Sequence, residues 1–73
     1  MTTRPIADLV EIVANGGGLD LQAGNLSTVE LVQLARNTLE KSTVILRGLN
    51  SRPTDELVQI SRNSNGSVIF VLD

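Results

Sequence analysis

Apolar and polar residues follow two different periods in turn along this chain. Ile6, Leu9, Val10, Ile12 and Val13 fall at i, i+3, i+4 spacing, as do Val29, Leu31, Val32, Leu34 and Ala35, and more sparsely Leu57, Val58 and Ile60. Each set lays an apolar stripe along a short amphipathic helix. The segments that follow, 19–23, 44–48 and 68–72, are short and rich in β-branched or aliphatic residues, which is the composition of strands. Alternation puts Leu19, Leu21, Val44, Leu46, Val68, Phe70 and Leu72 on the side that meets the helices. The other side carries Asp20 and Gln22, then Ile45, Arg47 and Leu49, then Ile69 and Val71.

The helical text is written almost identically three times: DLVEIVAN at 8–15, ELVQLARN at 30–37 and ELVQISRN at 56–63. All three fit acid–Leu–Val–(Glu/Gln)–(Ile/Leu)–x–x–Asn. Their starts, Asp8, Glu30 and Glu56, are 22 and then 26 residues apart. The chain therefore divides into three helix–strand repeats, 2–25, 26–50 and 51–73, within one domain spanning 1–73. Pro5 and Pro53 suit a first helical turn, and Ser27 with Glu30 has the spacing of a capping box. Asn15, Asn37 and Asn63 stand where each helix stops. There the chain is expected to pass through a left-handed conformation, which Asn tolerates.

Alternating helices and strands imply parallel pairing, because each return to the sheet passes through a helix. Such crossovers are right-handed. The expected fold is α/β: three tandem repeats forming a short right-handed solenoid, with a three-stranded parallel sheet in order 1-2-3 and the helices on one face. The strand text Val44-Ile45-Leu46-Arg47-Gly48-Leu49-Asn50, at a period of about 24 residues, resembles the strand-plus-helix unit of leucine-rich repeat proteins. In that family an Asn follows the second strand Leu by three residues, whereas Asn25 and Asn50 follow Leu21 and Leu46 by four. The resemblance implies an architecture and the habit of a binding scaffold. ELVQLARN is also similar to repeats in small bacterial proteins.

Composition narrows the picture. Apolar residues make up 41% of the 73, yet Phe70 is the single aromatic. The core must be aliphatic, with less buried area per residue than rings supply. A chain this small sits where burial and ordering entropy nearly cancel, so help from a partner is expected. With no Cys it cannot come from disulfides, and that absence fits a reducing compartment. The net charge of −2 and the scattering of six basic residues argue against nucleic acid as a partner. No apolar run has the length of a membrane span, and the N-terminus lacks a leader-like apolar stretch, so a cytoplasmic protein is expected.

The chain has neither His nor Cys, so an imidazole base, a thiol nucleophile and soft metal ligands are all missing. No enzyme activity, cofactor or metal is expected. Asp8, Glu30 and Glu56 recur at one repeat position, where acids of a first turn are favoured by the helix dipole. Asn15-Gly16-Gly17-Gly18 runs from helix to strand, the reverse of a phosphate loop. Beyond the carboxyl ends of the strands lie Arg4, Asn25, Ser27, Asn50, Ser51 and Arg52, a candidate edge for an anion or a peptide carboxylate. Turns and caps use these same residue types.

The last strand, within 67–73, has no covering segment after it, and an unpaired apolar strand is an open template for another chain. The outer sheet face also turns apolar from the first strand to the last, and such a patch marks an interface. The candidate interface is Ile45, Leu49, Val68, Ile69, Phe70 and Val71. These features point to a non-enzymatic repeat module that self-associates as a dimer, ring or head-to-tail homo-oligomer and serves as an interaction scaffold or small regulatory protein. Two alternatives are an inhibitory partner of the immunity or antitoxin kind, and a weak anion or nucleotide binder at the strand-end edge.

Overall fold

The computed structural model describes residues 4–72; residues 1–3 and the acid Asp73 lie outside it. The elements are α1 (Ile6–Ala14), β1 (Leu19–Gln22), α2 (Thr28–Arg36), β2 (Thr43–Arg47), α3 (Thr54–Asn63) and β3 (Ser67–Val71). The strands form one parallel sheet in the order β1-β2-β3. Leu19, Val44 and Val68 lie side by side, as do Leu21, Leu46 and Phe70. The α/β class, the parallel pairing and the strand order all follow the pattern of the sequence. In the helical layer α2 packs against both α1 and α3.

One hydrophobic cluster joins the layers. Leu9 and Val13 of α1, Leu31, Leu34 and Ala35 of α2 and Ile60 of α3 meet Leu21, Val44 and Leu46 of the sheet. Burying each of the leucine, isoleucine and valine side chains contributes about 1.5–3 kcal/mol, more than any polar contact on the surface of this fold. Val29 and Val58 leave the expected stripe: Val29 is 76% exposed and Val58 is half exposed. Each precedes a buried residue, Leu31 or Ile60, by two positions, which is about 200° around a helix.

Helix starts differ in kind. At α2 the Glu30 amide donates to Ser27 Oγ at 3.1 Å and the Ser27 amide donates to Glu30 Oε1 at 2.9 Å, the expected capping box. Pro5 and Pro53 stand one position earlier than a first turn, at the cap itself, with φ of −65° and −57°. At the helix ends the structure corrects the expectation for Asn. Among the described residues only glycines have positive φ, and Asn15 and Asn37 lie at −102° and −95°. Each Asn instead turns its amide back: Nδ2 of Asn15, Asn37 and Asn63 donates at 2.8 Å to the carbonyls of Glu11, Gln33 and Gln59. The side chain satisfies an orphan carbonyl of the last turn. That need, rather than tolerance of left-handed backbone, accounts for the shared Asn.

Candidate functional site

The outer sheet face and the flank of the third helix–strand unit hold the candidate interface. Ile69 is 46% exposed, and Ile45 and Val71 are partly buried on the same face. Leu49 does not belong with them. β2 ends at Arg47, and Gly48 takes a left-handed φ of 82°, so the two-residue alternation stops there. Leu49 then turns inward and is completely buried, at the same place in its loop as the buried Ala23. The matching turns show the equivalence: Leu26 N donates to Ala23 O and Arg52 N to Leu49 O, both at 3.0 Å.

Val68 and Phe70 point to the helices, but they are only partly buried, whereas their sheet neighbours Val44 and Leu46 are buried. The same loss of cover appears on α3. Leu57 is partly buried where Leu9 and Leu31, at the same place in the octet, are buried, and Ser61 is exposed where Val13 and Ala35 are buried. Leu72, past the end of β3, is half exposed. Among the described residues β3 pairs with β2 alone, so its far edge is an open row of backbone donors and acceptors. Ser61 does not stand out from its own helix alone. The signal was present, because the sixth octet position reads Val13, Ala35, Ser61, and a polar residue replaces a core residue only in the last copy.

On the outer face Arg47 donates through Nε to Asp20 Oδ1 at 2.7 Å and through a second guanidinium nitrogen to Oδ2 at 3.0 Å. These hydrogen bonds hold the Asp20 carboxyl below its ordinary value, against desolvation and with help from the Arg47 charge. A lowered folded pKa means that the pair stabilises above about pH 4, the unfolded range of Asp, and that this stabilisation is lost as pH falls through the folded value. An NMR titration should show the Asp20 midpoint below that of an ordinary aspartate, returning toward it in Arg47→Gln. Equal midpoints in the two proteins would contradict the bidentate geometry.

The strand-end edge is occupied by its own contacts. Arg52 donates to Thr28 Oγ1 at 3.2 Å, to Gly24 O at 3.4 Å and to Leu26 O, and its guanidinium lies 3.8 Å from Glu56. Thr28 Oγ1 donates in turn to Glu56 Oε1 at 2.5 Å. The Arg52 guanidinium thus ties the β1–α2 loop to the start of α3. Ser27 is used in the capping box, while Asn25, Asn50 and Ser51 are exposed in their loops. Arg4 belongs to the start of α1 and pairs with Asp8 at 3.6 Å. With α2 packed between α1 and α3, Arg4 and Arg52 do not converge on one site. The three recurring acids each serve a helix start: Asp8 with Arg4, Glu30 in its box and Glu56 with Thr28 and Arg52. Among the described residues no three acidic side chains converge as metal ligands would, and no helix is long and apolar enough to cross a membrane.

Fold and site together define an α/β protein with a three-stranded parallel sheet whose third strand, among the described residues, pairs on one side only. Comparison with protein-family models, with curated proteins and with solved structures found no match.

Proposed function

We propose that this chain is a non-enzymatic, self-associating module, built as a short solenoid of three helix–strand repeats and acting as an interaction scaffold. The observation that carries the reading is the uncovered flank of the third unit. Leu57, Val68 and Phe70 occupy core positions, yet each keeps part of its surface in water, beside a strand edge that no other described strand pairs with. A solenoid unit buries its apolar side only against a neighbour. Among the described residues the third unit has such a neighbour on one side alone, where β3 meets β2 and α3 meets α2. A second copy would supply both the backbone partners and the cover.

Ser61→Arg tests this without touching the core, because Ser61 is exposed in the single chain and central to the uncovered flank. Light scattering should give the parent a molar mass above the 7.8 kDa of one chain, rising with concentration. The Ser61→Arg protein should stay at one chain with unchanged circular dichroism. A parent that remains monomeric at about 1 mM, the weak limit of specific association, would refute self-association.

A further inference from the structure

Resting on that reading, we infer that self-association is head-to-tail, with Arg4 and Asp8 of one copy docking on the β2–α3 loop and Thr54 of the next. The junction between α2 and α3 inside the chain shows both halves of such a contact. The α3 half is Arg52, followed by Pro53, with Glu56 four residues on; the α2 half is the Thr28 hydroxyl and the carbonyls of Gly24 and Leu26. The first unit repeats the α3 half: Arg4, then Pro5, then Asp8, with the ion pair again at i, i+4. The third unit repeats the α2 half, since Thr54 opens α3 as Thr28 opens α2. The matching turns make the carbonyls of Asn50 and Arg52 the counterparts of those of Gly24 and Leu26.

Exposure marks both halves as unengaged within one chain. The Arg52 side chain is 19% exposed, that of Arg4 68%, and Thr54 is exposed where Thr28 is partly buried. The two halves are also electrostatically complementary. A guanidinium meets carbonyl oxygens, and a hydroxyl meets a carboxylate, as in the internal junction. They lie on opposite flanks of the same molecule, so a two-fold dimer that joins third unit to third unit leaves Arg4 and Asp8 outside the contact. A heterologous contact engages both, and it closes into a ring or grows.

Continuing the observed register sets β1 of the second copy parallel to β3, with Leu19 beside Val68 and Leu21 beside Phe70. Asp20 then neighbours Ile69, as it already neighbours Ile45 within the chain.

Two singly blocked proteins test the polarity. Arg4→Glu blocks the first-unit flank and leaves the third intact; Ser61→Arg does the reverse. Arg4→Glu alone should weaken self-association at least about tenfold, the effect of losing one charge-assisted contact. An equimolar mixture of the two should form a one-to-one heterodimer that grows no further, seen by sedimentation. Arg4→Ala provides the same comparison if charge reversal disturbs α1, and circular dichroism checks the fold of each. Arg4→Glu associating as tightly as the parent, or a mixture that stays monomeric, overturns head-to-tail docking while leaving self-association standing. A monomeric parent overturns both.

Discussion

Adding one methyl group at position 66 should strongly destabilise this protein. An ideal Cβ on Gly66 would lie 2.5 Å from the Leu39 carbonyl oxygen and closer still to that of Ser42. Both obstacles are backbone, so no side chain can rotate away. Nor can the backbone retreat easily: the Ser67 amide donates to Ser42 O at 2.9 Å, and the Ser42 amide donates to Leu39 O at 2.9 Å. Relieving the clash means opening that turn or detaching the start of β3. Overpacking alone costs about 1–3 kcal/mol, and each hydrogen bond sacrificed adds about 1 kcal/mol. A chain of this length has roughly 4–11 kcal/mol in all. Gly66→Ala is therefore expected to lower stability by at least about 3 kcal/mol, a fall in Tm of about 12–24 °C for a domain of this size. Gly24→Ala is the milder comparison, because a Cβ there would meet Gly48 O at 3.2 Å, a crowded contact that a shift of a few tenths of an ångström relieves. Similar melting of Gly66→Ala and the parent would show that the turn yields without cost.

The elements that the sequence declared most clearly are those decided by local chemistry. Ser27 and Glu30 act three residues apart within one turn, and the capping box forms as their spacing predicts. Period-two alternation placed Leu21, Val44 and Leu46 correctly in the core. It failed at Leu49 because alternation was carried through Gly48, whose left-handed φ ends the strand. The pattern places each Asn at a helix end but does not say by what means, since backbone preference and side-chain bonding both favour Asn there. What could not be read in one dimension depends on register. Arg52 meets Gly24, Leu26 and Thr28 only because the parallel sheet stacks one loop on the next. The candidate site was legible to the same degree: the open strand was visible in its apolar text, but the uncovered side of α3 emerged only when equivalent positions could be compared for burial.

Thr38 shows how far a polar residue can be hidden by its neighbours. It opens the stretch Thr38-Leu39-Glu40-Lys41-Ser42, which is polar apart from Leu39, yet Thr38 and Ser42 are both buried. Thr38 Oγ1 donates to Ala35 O at 2.7 Å and accepts from the amides of Asn65 at 3.1 Å and Gly66 at 3.0 Å. One hydroxyl thereby fastens the end of α2 to the turn that leads into β3. Ser42 extends the seam to the first unit through a 3.4 Å bond to Val13 O. Thr38→Val keeps the shape and removes these three bonds together with the 3.3 Å contact to Ser64 Oγ, leaving two amides to find water in a part-buried turn. Each buried group left unsatisfied costs about 1–3 kcal/mol, so a loss of about 2–4 kcal/mol is expected. Thr38→Ser, which keeps the hydroxyl, should lose less than half as much. Hydrogen exchange separates this from a simple packing defect. In Thr38→Val the Asn65 and Gly66 amides should exchange faster relative to the amides of β2, whereas in Thr38→Ser their protection should fall only with global stability. If the valine variant is as stable as the parent and keeps both amides protected, the hydroxyl is not what holds α3 and β3 to the rest of the sheet.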